Sequence, residues 1–251
     1  MSEKAIVRNN ALDLIKIIAL VTMVIDHLRF VFPSFQVQLM TLGRWAFPFF
    51  AIAIAYNTFS AIQRNKDDTL KKYLINLGAF SLISEIPYRL MTNNTQHTFN
   101  VMPTLLLGFI YIGLIGKIKD KWLKLAVILF FPLLLLPIEM KLEYGLFGVL
   151  LIGSVYGIAA NNRNSIKLFY LLLSIGMALA ANLQYYYPII KVVGLFNVYT
   201  NPLIISITLA MIFGFVVMTR NIINIDIPKV GKWAYWFYPV HMLIIFLILK
   251  L

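Results

Sequence analysis

The chain has 251 residues, of which 61% are hydrophobic and 13% are charged, and its formal net charge is +12. Soluble domains are about 45–50% apolar, so this composition predicts a polytopic membrane protein. The chain contains no cysteine, which excludes disulfides, thiol nucleophiles and thiolate metal sites. Nucleic-acid binding is rejected, because the basic residues fall in short loops between apolar segments, where they set membrane orientation.

The apolar segments predict an all-α transmembrane helix bundle of about nine spans, because one span needs about 20 mostly apolar residues. We expect Pro48 to kink the second span, since it lacks a backbone donor. The connection from Tyr187 to Pro202 is predicted to hold an interfacial helix or a re-entrant turn. Residues 1–251 form one domain, and its amino-terminal apolar run is expected to be a retained span. The predicted spans are Leu14 to Phe32, Thr41 to Ile62, Tyr73 to Leu90, Asn100 to Gly116, Trp122 to Ile138, Tyr144 to Ala160, Leu168 to Tyr187, Leu203 to Thr219 and Trp233 to Leu249.

The basic residues predict the orientation of the bundle, because lysine and arginine in short loops stay cytoplasmic. They alternate consistently from loop to loop, which predicts a cytoplasmic amino terminus, an external carboxyl terminus and a place in the inner membrane. The other side carries Lys141, Lys191, Lys250 and little else. The predicted cytoplasmic side holds Lys4, Arg8, Arg64, Lys66, Lys71, Lys72, Lys117, Lys119, Lys121, Lys124, Arg163, Lys167, Arg220, Lys229 and Lys232.

Polar side chains gather at the external ends of six predicted segments. A charged group in lipid costs about 2.5–3.5 kcal/mol on insertion scales unless it faces protein or water. Such a concentration at one depth therefore predicts a functional site, whereas satisfied helix ends would be spread over both faces. The residues are Asp26, His27, Arg29, Arg44, Glu85, Arg89, Asn100, Glu139, Glu143 and Tyr144.

His27 is the predicted centre of this chemistry, because an imidazole exchanges protons near neutral pH. The alternative is a structural histidine in a helix bundle. Adjacent helical residues point about 100° apart, so we expect Asp26 to meet Arg29, Arg44 or a backbone donor rather than His27.

Three other features have both a functional and a structural interpretation. Glu85 and Arg89 are four residues apart and could form a private ion pair, and Glu143 and Tyr144 could be interfacial. His241 shares a helix face with Tyr238, and a hydrogen bond between those two side chains could be structural. The three histidines show no metal-ligand spacing, so no metal is expected.

Several stretches together resemble the TraX family, integral-membrane proteins linked to amino-terminal acetylation of conjugative pilin. The resemblance implies an acyltransferase that uses acetyl-CoA, akin to membrane acyltransferases with a histidine in the first helix. It implies an amine or hydroxyl acceptor, carried by a peptide such as the pilin amino terminus or by a glycan. The stretches are Leu14 to Ala19 leading to Ile25-Asp26-His27, Gly43 to Phe50, Ser84 to Tyr88, Asn100-Val101 with Thr104 and Gly108, Glu143-Tyr144-Gly145 with Gly148, and Tyr235 to His241.

The resemblance and the charge map together predict a mechanism across the bilayer. His27 acts as general base, Asp26 orients or polarises it, and Arg44 or Asn100 stabilises the developing oxyanion; transfer through an acetyl-imidazole is the alternative. The CoA phosphates are expected at the inner loops, near Lys71, Lys72, Lys117 or Arg163. Substrate is expected near Glu85, Arg89, Asn100, Glu143, Tyr144, Tyr238 and His241.

Two other classes of protein stay open at this point. Asp26, Arg44, Glu85 and His241 could form the relay of a proton-coupled transporter, although no corresponding broken helices suggest inverted repeats. A non-catalytic assembly factor is the other possibility.

Overall fold

The computed structural model describes residues 9–195, 197–220, 223 and 225–251, so Lys4 and Arg8 of the charge map lie outside the described residues. No β-strand occurs in these ranges. Short 3-10 helices cover Leu28–Phe30, Pro33–Phe35 and Leu136–Lys141. The α-helices are α1 (Asn10–His27), α2 (Gln36–Gly43), α3 (Ala46–Gln63), α4 (Asp67–Ile83), α5 (Glu85–Met91), α6 (Met102–Lys117), α7 (Lys121–Leu134), α8 (Gly145–Ala160), α9 (Asn164–Ala181), α10 (Leu183–Val193), α11 (Thr200–Arg220) and α12 (Trp233–Ile248).

Each predicted apolar segment is helical, which confirms the all-α fold class. Within the described ranges, three helical stretches are long and apolar enough to cross a membrane: Pro33–Gln63, Asn164–Ala181 and Thr200–Arg220. The helices α6, α8 and α12 are apolar but shorter. The chain is therefore a helical membrane protein, while nine spans and the sides of the two termini stay predictions.

The loops of the bundle fall at two ends, which we name by their contents. The basic end holds residues 64–66, 118–120 and 161–163, and an ion pair of 2.8 Å joins Lys117 Nζ to Asp67 Oδ1 there. The site end holds residues 28–45, 84–101, 135–144, 182–195 and 197–199. At that end the backbone N–H of Phe99 donates to the carbonyl of Lys141 at 2.7 Å.

Side chains cap helices at the basic end, because the first N–H groups of a helix have no partner within it. Asn9 Oδ1 accepts from the backbone N–H of Leu12 at 3.0 Å and begins α1. Asp120 Oδ1 accepts from the N–H of Leu123 at 2.7 Å and begins α7. These caps fix where the helices start, and so set the depth at which their far ends meet.

The core is built around α3, which packs against α1, α6 and α8. Its buried face carries Ala51 and Ala55 together with Phe47, Phe49 and Ile52. Small residues let backbones approach closely, which matters in a membrane because packing replaces the hydrophobic effect between helices. This close packing holds the site end rigidly around the first helix.

Two predicted spans are interrupted at the site end. The second breaks at Arg44 and Trp45, between α2 and α3. The predicted kink from Pro48 is confirmed by this break, because a proline has no N–H to bond the carbonyl four residues earlier, here that of Arg44, and its ring clashes with that carbonyl. The third breaks at Ser84, between α4 and α5. Both breaks turn polar side chains toward the interior.

The aromatic connection after the seventh predicted span contains a separate helix. The helix α9 ends at Ala181, and α10 begins at Leu183, so only Asn182 separates the two helices. The helix α10 therefore takes over the last turn of the predicted span and returns the chain along the site end.

Candidate functional site

A buried ion cluster joins the end of α1 to the break before α3. Arg44 Nη2 donates to Asp26 Oδ1 at 2.5 Å, and Arg29 Nη1 donates to Asp26 Oδ2 at 2.6 Å. Arg44 is 2% exposed. As expected, Asp26 meets both arginines, because a buried carboxylate needs charged or hydrogen-bonding partners.

Arg44 is held by α9 and α10 as well as by Asp26. Its Nη1 donates to Asn182 Oδ1 at 3.1 Å, and its guanidinium carbon lies 4.3 Å from the ring centroid of Tyr185. Arg44 lines none of the three cavities described below. It holds Asp26 in place, and its predicted role in stabilising an oxyanion stays a prediction.

Gly43 allows α2 to reach this cluster. A Cβ built on Gly43 would overlap the Cβ and Oδ1 atoms of Asp26. Only glycine lacks that atom, so the helix end can lie directly against the carboxylate. The next residue along the chain is Arg44, which explains how the break delivers its guanidinium to Asp26.

His27 and His241 form a hydrogen-bonded pair across α1 and α12. His27 Nδ1 lies 2.7 Å from His241 Nε2, and the two ring planes are parallel within 2° with centroids 5.0 Å apart. That centroid separation is close to the nitrogen distance plus the two ring radii, so the imidazoles meet edge to edge. His241 is 5% exposed, and its Nδ1 lies 2.9 Å from the carbonyl oxygen of Phe237.

The alternative hydrogen bond between Tyr238 and His241 is not formed. The Tyr238 hydroxyl accepts from the backbone N–H of Val101 at 3.3 Å instead. That contact ties α12 to the start of α6 and leaves the Tyr238 hydroxyl hydrogen available to a bound molecule.

A central cavity lies beside the ion cluster and the histidine pair. It holds about 560 Å³ of empty space, counting its open side, and is lined by residues from α1, α3, α5 and α12. The hydroxyl of Tyr144 lines this cavity and can donate a hydrogen bond. The polar side chains in the lining are Asp26, His27, Arg29, Tyr88, Thr92, Gln96, Glu143, Tyr144 and Tyr238.

Glu143 joins several parts of the site end. Its Oε2 accepts from the hydroxyls of Tyr88 at 3.0 Å and Thr98 at 2.5 Å, and its Oε1 accepts from Tyr185 at 2.7 Å. These three hydroxyl donors show that Glu143 links elements of the protein, whereas the interfacial interpretation needed no partners. Glu143 fixes α5, the loop after it and α10 around one wall of the central cavity.

Glu85, Arg89 and Asn100 form a second network that does not line the cavities described here. Arg89 Nε donates to Glu85 Oε1 at 2.7 Å, so the ion pair considered from the sequence is formed, but it is not private. Glu85 Oε2 accepts from the backbone N–H of Asn100 at 3.0 Å and from its Nδ2 at 2.8 Å. The network closes the break between α4 and α5.

The side chain of Asn100 makes hydrogen bonds within the protein at the start of α6. Its Nδ2 also donates to the carbonyl of Ser81 at 2.9 Å, and its Oδ1 accepts from the N–H of Met102 at 2.9 Å. Both amide hydrogens therefore have acceptors within the protein. These contacts position Asn100 at the start of α6, and its predicted role in stabilising an oxyanion stays a prediction.

An inner cavity runs from the basic end to the central cavity. It holds about 1180 Å³ of empty space, counting its open side, with Lys16, Lys72 and Lys232 in its lining and an otherwise mostly apolar wall. We call Phe50, Val101 and Tyr238 the neck, because these three residues line both the inner and the central cavity.

An outer cavity continues the series at the site end. It shares Arg29, Phe30 and Gln96 with the central cavity and is also lined by Thr98 and Tyr185. Its empty space is about 1070 Å³, counting its open side. His27 thus lies in the middle of three adjoining cavities lined by described residues.

The predicted phosphate-binding residues separate in the structure. Of the four, only Lys72 lines the inner cavity. Lys117 pairs with Asp67, Lys71 is exposed outside the lining, and Arg163 directly precedes α9 at another part of the basic end.

Several residues around the site were not predicted from the sequence to line it. Arg29 was predicted as a partner of Asp26, and it lines both the central and the outer cavity. No motif in the sequence marks the others as cavity residues. They are Lys16, Tyr88, Gln96, Thr98, Tyr185 and Lys232.

Fold and site together define a helical membrane protein in which a histidine pair and a buried carboxylate lie between cavities toward both ends of the bundle. The family model described as TraX protein matches residues 11–249. The chain therefore belongs to the TraX family, as its motifs suggested. Searches of curated proteins and of solved structures found no significant match.

Proposed function

We propose that this protein transfers a short acyl group, such as acetyl, from acyl-CoA at the basic end to an amine or hydroxyl acceptor at the site end. The carrying observation is the position of His27 in a central cavity that shares lining residues with an inner and an outer cavity. Membership in the TraX family supports a pilin-related role in conjugation and, through pilin acetylation, a transferase. The acceptor is accordingly a peptide amino terminus, with a glycan hydroxyl as the second class.

The inner cavity fits the donor by its chemistry. Coenzyme A carries phosphates at one end and a long, thin pantetheine arm that ends in the thioester. Lys72 and Lys232 supply cations at the basic end, together with Lys16, which also pairs with Asp13 at 3.4 Å, and the apolar wall leads from them to the neck. This set replaces Lys71, Lys117 and Arg163 of the sequence prediction.

In the reaction His27 first accepts a proton from the acceptor and then donates it to the CoA sulfur. The acceptor N–H or O–H gives its proton to His27 Nε2 while its lone pair forms a bond to the thioester carbonyl carbon. The C–S bond then breaks, and the proton on His27 passes to the departing CoA sulfur. Atoms and charges balance without another reagent.

The hydroxyls of Tyr144 and Tyr238 are placed to stabilise the developing oxyanion. Both line the central cavity with His27, and a tyrosine hydroxyl is a suitable donor for such a charge. Arg29 lines the same cavity and adds a positive charge, while Asp26 and Arg44 hold it in place. A covalent acetyl group on His27 Nε2 uses the same geometry, and mass spectrometry of the trapped protein distinguishes the two routes.

The test is transfer of radiolabelled acetyl from acetyl-CoA by purified protein in lipid nanodiscs. Candidate acceptors are peptides with a free amino terminus, the same peptides with a blocked amino terminus, and glycans. We expect the label on one acceptor class, and loss of transfer by at least about 100-fold in His27→Ala, the lower end of the contribution of general acid–base catalysis.

The matched control is His97→Ala, which removes an exposed loop histidine and should leave transfer unchanged. No transfer to any acceptor, or equal transfer by His27→Ala and the native chain, would contradict the proposal. That outcome would favour the transporter or assembly-factor interpretations.

A further inference from the structure

We infer that His241 is a positioning residue, which fixes the tautomer and the ring orientation of His27 so that Nε2 is the basic nitrogen facing the central cavity. The role in proton transfer rests on the proposed function. The tautomer itself stands on the geometry of the two rings and one carbonyl group, and can be measured without a substrate.

The hydrogen positions on the two rings follow from the contact between His241 and the backbone of Phe237. Its carbonyl oxygen can only accept a hydrogen bond, so His241 Nδ1, 2.9 Å away, must carry the hydrogen. A neutral imidazole holds one hydrogen on its two nitrogens. His241 Nε2 therefore presents a lone pair.

That lone pair faces His27 Nδ1 at 2.7 Å. Two nitrogen lone pairs would repel each other at this distance, so a hydrogen atom must lie between the rings, and it is bonded to His27 Nδ1. With Nδ1 protonated, neutral His27 has its lone pair on Nε2. Both rings are treated as neutral because an unpaired buried charge costs more than these two satisfied neutral rings.

The free nitrogen is the one that the reaction needs. His27 lines the central cavity, and its Nε2 has no hydrogen-bond partner among the described residues. The parallel, edge-to-edge rings leave His27 little freedom to rotate, because rotation would break the Nδ1 hydrogen bond. In a catalytic triad a carboxylate orients the histidine; here a neutral imidazole, itself anchored to a helix carbonyl, takes that place.

Nitrogen-15 NMR of protein labelled at histidine tests the tautomer directly. The chain has three histidines, so a His97→Gln background leaves only the pair. At a pH of about 8.5, where free histidine is neutral, we expect a protonated Nδ1 and an unprotonated Nε2 on both His27 and His241. A hydrogen on His27 Nε2 in this spectrum would overturn the inference.

Two substitutions at the partner separate positioning from simple structure. His241→Gln keeps an acceptor oxygen near the place of Nε2, whereas His241→Leu removes it. We expect His27 to keep its tautomer in the first variant and to shift toward the form protonated on Nε2 in the second. An unchanged His27 tautomer in His241→Leu would contradict the proposal, and the native spectrum decides the matter if that variant fails to fold.

The transfer assay supplies the second readout. We expect His241→Leu to lower kcat between about tenfold and 10⁴-fold, the range seen when a partner that orients a catalytic or ligating histidine is removed, with KM nearly unchanged. His241→Gln should recover at least tenfold of that loss. If neither the native chain nor any variant transfers acetyl, the proposed function fails while the NMR result still decides the tautomer.

Discussion

A single added carbon atom at Gly43 separates the two helices that carry the ion cluster. The Cβ of Gly43→Ala would overlap Asp26, so we expect the substitution to push the carboxylate away from Arg44 and to lower the free energy of unfolding by about 1–3 kcal/mol. Denaturant unfolding in detergent measures this. Gly113→Ala is the control, because a Cβ there meets nothing within 4 Å, and a neutral or slightly stabilising result is expected. Equal effects of both substitutions would refute the close approach.

Asp26 neutralises a buried region that holds two arginines. Asp26→Asn removes the charge that both guanidinium groups contact, and breaking a buried pair in this way costs about 3–5 kcal/mol. We expect a corresponding fall in thermal stability and loss of transfer. The control is Asp67→Asn, which breaks the pair with Lys117, whose side chains are 76% and 51% exposed; an exposed pair contributes at most about 1 kcal/mol. A small effect of Asp26→Asn would show that the cluster is solvated.

Among individual residues, the sequence predicted the contacts of Asp26 but not the contact between His27 and His241. A carboxylate in an apolar run must find a cation, so Asp26 with Arg29 and Arg44 was foreseeable. The pairing of His27 with His241 joins residues 214 positions apart, and helical spacing carries no information on such a distance. The sequence indicated a possible function for each histidine but did not predict their contact.

Among the elements, α10 depends on Glu143 for its position. Glu143→Gln replaces one acceptor oxygen by an amide group that faces hydroxyl donors. A hydrogen bond to a charged group contributes about 1.5–3 kcal/mol, so we expect at least about 2 kcal/mol of lost stability and faster proteolysis at the start of α10. Glu139→Gln is the control, since that carboxylate makes no hydrogen bond to a described residue. Equal proteolysis of the two variants would contradict this role.

Helix positions followed from the sequence far better than helix breaks. Long apolar runs must form helices in lipid, because every backbone polar group needs an internal partner, and all nine predicted segments are helical. The breaks at Arg44 and Ser84 depend on partners supplied by other helices, Asp26 and Asn182 in the first case. The chain pattern supplied Pro48, whose missing N–H and ring disrupt the helix at Arg44, but it gave no sign of these partners.

For the molecule as a whole, orientation is the first quantity to test. The cysteine-free chain allows single cysteines at His97→Cys in the site end and Asn162→Cys in the basic end, both exposed positions. We expect a membrane-impermeant maleimide to label His97→Cys in intact cells with an opened outer membrane, and Asn162→Cys only after the inner membrane is permeabilised, because basic loops stay cytoplasmic. The reverse labelling would place the cavities the other way round.

The lysines of the inner cavity give a test of the donor route. Replacing Lys72 and Lys232 together by glutamate turns attraction for CoA phosphates into repulsion, and we expect KM for acetyl-CoA to rise at least about tenfold with kcat nearly unchanged. Lys71→Glu with Lys119→Glu changes the net charge equally but alters exposed lysines outside the cavity lining. A larger rise in KM for that control pair would favour the loop residues that the sequence alone suggested.

The neck of Phe50, Val101 and Tyr238 has a consequence for the cell's energy supply. A passage joining both faces of a membrane would short-circuit the proton gradient if water filled it continuously. The side chains of Phe50 and Val101 and the ring of Tyr238 at this junction would oppose a continuous water column, as hydrophobic constrictions do in channels. In the proposed reaction the thin thioester arm of the donor would occupy the junction, so group transfer need not dissipate the membrane potential.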